Sequence, residues 1–494
     1  MAERVILAVD QGTTNSKAIL VAEDGRMLAR GSSPVPIEHP RSGWVQQDGE
    51  QIWRSVQEAI AACLADADSE QHGVEIAAIG ISNQRESVLA WHRKTGKPVG
   101  PVITWQCRRT ADACDRLRKA GHEEKILALT GLPLDPLFPA TKVRWLLDNL
   151  PTDHEQKDLC IGTVDSWLIW NFTGGAVHAC DRSNAARTQL FDIAEASWDE
   201  GLCEIFDVAP TLLPDVRDSS HVFGRTSGVS GLDDGIAVGG AIGDSHGALF
   251  GHGAYSKGDG KVTFGTGSSV MATIVGFKVP PKGLTTTIAW SLDGVSTFAF
   301  EGNILVSASV LPWTAELLGL ADVQALLDLA ETVDGTEGVS LVPAFVGLGA
   351  PHWNAEARGL VAGLSFGSKP AHLARAAAES MALQVHDVFD IIQHAAGAEI
   401  GRLFVDGGPS SNRFLMGLVS GYLDHPVIMC ETTEASALGA AYLAGLSTGV
   451  WDGLTTVSNL AGKRTPLSSE MDPGLRQEAL KDWRSALARS TLDA

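Results

Sequence analysis

Three glycine-rich turns mark where this sequence could do chemistry. Asp10-Gln11-Gly12-Thr13-Thr14 closes an apolar run over residues 5–9. Thr263-Phe264-Gly265-Thr266-Gly267-Ser268 echoes it roughly 250 residues later, and Val405-Asp406-Gly407-Gly408 varies it once more. Each reads as a strand running into a tight turn, where glycine removes the Cβ and lets backbone amides and small hydroxyls approach a phosphate. Asp10 adds a carboxylate beside the first turn, a seat for a magnesium ion that keeps part of its water shell. One such turn carries little weight. Three of them, spread over both halves, describe a cleft between two domains that closes on a nucleotide.

Other segments place charge at strand ends. Ser82-Asn83-Gln84-Arg85-Glu86 follows an apolar run over 74–82, and ligands of open α/β sheets gather at the carboxyl ends of strands. Arg85 supplies donors and Glu86 acceptors, the set that grips vicinal hydroxyls; taken alone, such a pair is more often a solvated surface pair. Trp105, in Trp105-Gln106-Cys107-Arg108-Arg109-Thr110, offers an apolar wall to the carbons of a polyol, or fills core. Asp244, in Gly240-Ala241-Ile242-Gly243-Asp244-Ser245-His246-Gly247, could accept the proton of an attacking hydroxyl or cap the following helix.

The elements that must position these groups follow an α/β pattern. Residues 4–34 read as three successive strands with a hairpin turn at Asp24-Gly25, and Asp48 reads as the N-cap of a helix whose Ile52, Val56, Ala59, Ile60 and Cys63 share one face. A strand over 74–82 follows. Strand, strand, strand, helix, strand opens the ribonuclease-H-like fold of actin, sugar kinases and Hsp70-type ATPases. The second half repeats the grammar: strands at 261–265, 284–289 and 295–300, a helix over 302–318, a long helix over 371–394, a strand at 403–406 and a helix over 411–422. Glu434-Ala435-Ser436-Ala437-Leu438-Gly439-Ala440-Ala441 suits a closely packed helix. The expected division is an N-terminal domain over 1–250, carrying the polyol site, the first phosphate turn and Asp244, and a nucleotide-binding C-terminal domain over 251–494.

Composition sets bounds. A chain of 494 residues with 44% hydrophobic content can bury two cores, and a formal net charge of −21 without a basic run argues against nucleic acid or an anionic membrane as partner. No apolar run reaches a membrane span, and the early first strand leaves no room for a signal peptide. The seven cysteines are scattered without a CxxC pair, as expected of reduced thiols in a cytoplasmic enzyme.

In combination these segments resemble the FGGY carbohydrate kinases and, within them, the glycerol kinases. Gly43-Trp44-Val45, Lys142-Val143-Arg144-Trp145, Pro343-Ala344-Phe345-Val346-Gly347-Leu348-Gly349-Ala350-Pro351 and Ala437-Leu438-Gly439-Ala440-Ala441-Tyr442-Leu443-Ala444-Gly445 extend the likeness nearly end to end. It implies ATP- and Mg²⁺-dependent phosphorylation of a terminal hydroxyl on a small polyol, by a dimer or tetramer. It further implies Arg85, Glu86, Trp105 and Asp244 as polyol-binding residues, Asp244 as general base, and Asp10 as the magnesium carboxylate. Thr13, Thr14, Asn15, Lys17, Gly265, Thr266, Gly267, Gly408 and Asn412 match nucleotide-contacting positions; Lys17 stands where these kinases often carry Arg.

The pattern also breaks. Glycerol kinases usually carry Asp-Pro-Tyr-Phe and Gly-Asp-Gln where this chain has Asp135-Pro136-Leu137-Phe138 and Gly243-Asp244-Ser245. Both changes shrink a side chain and shorten its hydrogen-bonding reach at polyol-contacting positions. Glycerol remains the expected substrate, with a longer polyol (erythritol, threitol, xylitol) or a ketose such as xylulose as alternatives. Ketose kinases usually carry Met-His-Gly where Asn83-Gln84-Arg85-Glu86 stands here. A glycine often used on the nucleotide side is Ala308. Gly231-Leu232-Asp233-Asp234-Gly235-Ile236 carries two acids where some relatives bind fructose 1,6-bisphosphate through a basic anchor. A nucleotide-switched binding protein on the same fold would lack the Arg-Glu and Trp-Gln-x-Arg-Arg segments, and retention of Asp10, Asp244, Arg85, Glu86 and Thr266 speaks against a catalytically silent paralogue.

Overall fold

The computed structural model describes residues 3–69, 73–151, 155–397 and 399–491. Thirteen strands build two sheets: β1 (Glu3–Gln11), β2 (Asn15–Ala22), β3 (Met27–Pro34), β4 (Val74–Asn83), β5 (Ser220–Arg225) and β6 (Ala237–Gly243) form the first. The second holds β7 (Gly260–Phe264), β8 (Ser268–Ile274), β9 (Thr285–Leu292), β10 (Val295–Ile304), β11 (Leu403–Gly407), β12 (Val427–Cys430) and β13 (Arg464–Leu467). Five helices matter to the site: α1 (Gly49–Ser69), α2 (Asp244–Gly251), α3 (Pro370–Ala395), α4 (Arg413–Leu423) and α5 (Ala435–Ser447).

The first sheet runs β5-β6-β4-β1-β2-β3 and the second β9-β10-β8-β7-β11-β12-β13. In the first, the antiparallel meander β1-β2-β3 is followed by the parallel strands β4 and β6 beside β1; in the second, β7, β8, β10 and β9 are successively antiparallel, and β11 and β12 lie parallel on the other side of β7. This is the duplicated ribonuclease-H-like architecture, with β5 and β13 as antiparallel edges. Val5, Ile6, Leu7, Ala8 and Val9 are all buried, because β1 lies inside its sheet and is covered on both faces. The Asp48 carboxylate accepts from the Gln51 amide at 3.0 Å and caps α1. Close packing of α1 on β3 requires Gly31, whose added Cβ would lie 2.3 Å from the Ala59 carbonyl oxygen.

The two halves share a core. Helix α5 comes from the second half yet lies on the first sheet, where a Cβ at Gly80 would sit 2.2 Å from the Ala440 carbonyl oxygen and one at Gly439 only 2.0 Å from that of Gly247. The Ala/Gly run thus permits backbone-to-backbone contact. Ile6, Ile19, Ile242 and Phe250 join Met271, Trp290, Phe404 and Leu443 in one buried cluster.

One expected element is different. Residues 302–304 complete β10, and the helix begins only at Val310–Leu317. Between them the chain folds over the second phosphate turn, with the Ser307 and Ala308 amides donating to the carbonyls of Thr266 (2.8 Å) and Gly265 (3.0 Å). Apolar spacing alone cannot register such long-range backbone bonds. All seven cysteines are unpaired and six are buried. Among the described residues, no helix is long and apolar enough to cross a membrane.

Candidate active site

The carboxyl ends of three adjacent parallel strands bring the sequence-predicted groups together. Asp10 of β1 is opposite Ser82 of β4, which is opposite Ile242 of β6. Ser82 Oγ donates to Asp10 Oδ1 at 2.7 Å. Burial pushes the Asp10 carboxyl up to about 6, with the Asp244 charge adding to the rise and the Ser82 hydrogen bond opposing it. Asp244 is the first residue of α2, Gly243 taking the N-cap position. Its Oδ1 accepts from the Ser245 amide at 2.6 Å and lies 3.3 Å from Arg85 Nε. Burial raises its pKa against the pull of Arg85, which favours proton acceptance.

Arg85 and Glu86 do not pair with each other. Arg85 Nη2 meets Glu301 Oε1 at 2.8 Å, while Arg187 binds both Glu86 Oε1 (2.6 Å, through Nε) and Glu301 Oε2 (3.1 Å, through Nη1). Glu86 takes φ +57, an uncommon conformation for a residue with a Cβ. Burial alone would raise the Glu301 pKa, but Arg85 and Arg187 hold it well below the usual carboxylate range. Glu301 and Arg187 escaped the sequence reading. Their signal was the lone acid in Val295–Ile304, an otherwise uncharged strand, since a buried charge implies a partner.

Neighbouring residues shape the polyol side. Trp105 is 37% exposed, and its Nε1 donates to Thr13 Oγ1 at 3.0 Å, so the indole is tied to the first glycine turn. Leu137 is half-buried. Its carbonyl accepts from Lys142 Nζ at 2.6 Å, and the same Nζ donates to the Glu86 carbonyl at 3.3 Å. Burial brings Lys142 down to about 7. Ser245 Oγ lies 3.1 Å from Ser269 Oγ, which donates to Glu301 Oε1 at 3.1 Å. A chain of polar contacts therefore runs from Asp244 through Arg85, Glu301 and Ser269 back to Ser245.

The nucleotide side corrects one detail. Glycine amides were expected to face the anion, yet Gly12 N donates to the Asn15 carbonyl (2.9 Å) and Gly265 N to that of Gly267 (2.8 Å). The glycines shape the hairpins, which leaves Thr13, Thr14 and Thr266 as the candidate anion-facing residues of these turns. Gly267 is compulsory, since a Cβ there would lie 2.3 Å from the Ile304 carbonyl oxygen. Asn15 Nδ2 donates to Thr14 Oγ1 at 3.2 Å, and Lys17 Nζ is held by Glu434 at 2.9 Å. A cavity of about 480 Å³ opens between Ala308, Leu311, Leu327, Gly408, Asn412 and Leu415, large enough for a nucleoside. Asn412 Oδ1 caps α4 through the Leu415 amide at 3.0 Å, and a Cβ at Gly408 would meet nothing within 4 Å.

Among the described residues, no group of three or more His, Cys, Asp or Glu forms a metal cage. Asp10 nonetheless suits Mg²⁺, which binds one or two carboxylates and completes its shell with water and phosphate oxygens. Burial raises its carboxyl, and a dication would stabilise its ionised form.

Known proteins match this arrangement over the whole chain. The model for the N-terminal domain of the FGGY family of carbohydrate kinases matches residues 5–251, and that for the C-terminal domain residues 260–448. An apulose kinase of Pectobacterium atrosepticum is 43% identical over 99% of this chain and 98% of its own. A glycerol kinase of Bdellovibrio bacteriovorus is 43% identical over 98% of this chain and 99% of its own. The crystal structure of Plasmodium falciparum glycerol kinase with ADP superposes with a TM-score of 0.93, at 29% identity and 99% coverage of both chains.

Proposed function

Because the chain belongs to the FGGY family of carbohydrate kinases, we propose that it transfers the γ-phosphoryl group of ATP to a terminal hydroxyl of a small polyol, converting glycerol to glycerol 3-phosphate. The observation that carries this reading is Asp244, half-buried and held by Arg85 beside the strand end that bears Asp10. Asp244 orients the substrate hydroxyl and takes its proton as the phosphoryl group leaves ADP. Arg85 and Glu86, fixed by Glu301 and Arg187, grip the neighbouring hydroxyls, with Trp105 against the carbons. Thr13, Thr14 and Thr266 hold phosphate oxygens from opposite sheets. Mg²⁺, seated by Asp10, neutralises phosphate charge. Positioning and charge neutralisation supply most of the rate in phosphoryl transfer. Domain closure excludes water as a competing acceptor. The resemblance also supports a cytoplasmic dimer or tetramer.

A second reading is a larger polyhydroxy substrate, with glycerol accepted as a truncated one. Leu137 and the Ser245–Ser269 hydroxyl pair leave room and spare hydrogen-bonding capacity, and one relative at 43% identity is named an apulose kinase. An unpaired substrate hydroxyl costs about 1–3 kcal/mol, enough to reorder preferences. ADP release across glycerol, dihydroxyacetone, erythritol, threitol, xylitol, ribitol, xylulose and apulose decides between them. Glycerol should give the highest kcat/KM. A tenfold advantage for another substrate, about 1.4 kcal/mol, would replace it.

Two further results are expected. With a carboxyl near 6, Asp10 loses its proton as pH rises through that value, so kcat/KM at limiting Mg²⁺ climbs with pH and levels off above it. Raising Mg²⁺ shifts the midpoint to lower pH, because the dication competes with the proton. A midpoint indifferent to Mg²⁺ would remove Asp10 from the metal site. Millimolar fructose 1,6-bisphosphate should leave activity unchanged, since the exposed Asp233 and Asp234 repel it, and inhibition not relieved by substrate would contradict this.

A further inference from the structure

Helix α2 begins at Asp244 and ends at the C-cap residue His252. His252 Nε2 meets Asp406 Oδ2 at 2.5 Å, and both residues are buried, at 2% and 5% exposure. Asp406 belongs to β11, immediately before the Gly407-Gly408 turn that lines the nucleotide cavity. Gly407 takes φ +89, and a Cβ there would lie 2.0 Å from the Phe264 carbonyl oxygen, so this turn is locked to β7. Asp406 is also opposite Thr263, which accepts from the buried Lys261 Nζ at 2.7 Å and precedes the second phosphate turn.

The duplication gives this position meaning. In the first sheet Asp10 and Ser82 face each other beside the first phosphate turn; in the second, Thr263 and Asp406 occupy the same two strand positions with carboxylate and hydroxyl exchanged. The carboxylate of the second sheet is tied to the far end of the helix that carries Asp244. The helix is two turns long, about 12 Å at 1.5 Å per residue, too short to bend between its ends.

We infer that the His252–Asp406 pair is a positioning device that makes the placement of Asp244 depend on occupancy of the nucleotide turn. The pair acts through α2 and touches neither substrate. A buried ion pair is often no more stabilising than packed apolar residues, so stability alone does not account for it. Against the cost of burial, Asp406 and Cys430 raise His252 to about 9, so the pair is ionised at neutral pH. The proposal rests on the kinase reading above, in which Asp244 is the base.

Two measurements test it. In the unaltered protein, Mg-ADP should slow amide hydrogen exchange over residues 245–252 at least fivefold; an unchanged rate overturns the proposal, whatever the polyol substrate proves to be. In His252→Gln and Asp406→Asn, both near-isosteric, kcat should fall and KM for ATP rise about tenfold, with KM for the polyol within about twofold and the double variant no worse than the poorer single. Wild-type kcat and ATP KM in a folded His252→Gln protein, a change confined to polyol KM, or multiplying single effects would each overturn it. If these variants do not fold, the exchange experiment alone decides.

Discussion

Asp244→Asn lowers kcat for polyol phosphorylation by about 10²–10⁴-fold, the usual contribution of a general base, and leaves Mg-ADP affinity close to that of the unaltered protein. The amide matches the carboxylate in shape, so the 3.3 Å contact with Arg85 and the 2.6 Å contact from the Ser245 amide have an acceptor in both proteins. What disappears is a group able to accept the hydroxyl proton. Steady-state turnover beside ADP titration separates the two effects, and a kcat within tenfold of wild type would place the base elsewhere.

Glu301→Gln has the second large effect, on stability and activity together. Glu301 is wholly buried between two guanidiniums, at 2.8 Å from Arg85 and 3.1 Å from Arg187. Neutralising it leaves two buried cations sharing only Glu86 and Asp244, and breaking a buried ion pair from one side costs about 3–5 kcal/mol. The urea midpoint should fall accordingly. Arg85 would also turn more fully to Asp244, stabilising its ionised form and weakening it as a base, so kcat/KM falls even under conditions where the variant stays folded. An unaltered urea midpoint would mean that water or another acid replaces Glu301.

Much of the fold was legible because its local rules agree. The 5–9 run, the Asp24-Gly25 turn, the Asp48 cap and the 52–63 apolar face each specify β1, the hairpin or α1 independently. The misread helix over 302–318 shows the limit. Residues 302–309 carry apolar spacing that suits a helix, but the backbone bonds of 307 and 308 go to Gly265 and Thr266, and no local pattern announces a partner some forty residues away.

By itself the sequence determined the duplicated α/β grammar, the phosphate turns and the residues that resemble a polyol kinase site, because glycine turns, hydrophobic periods and ordered motifs are written locally. Tertiary structure alone decided that Arg85 and Glu86 serve different partners, that Glu301 and Arg187 hold them from beneath, that Lys17 is bound by Glu434, and that Ser245 faces Ser269. Those outcomes depend on burial: a charge removed from water must find a counter-charge, and the one it finds is set by which strand ends the two sheets bring together.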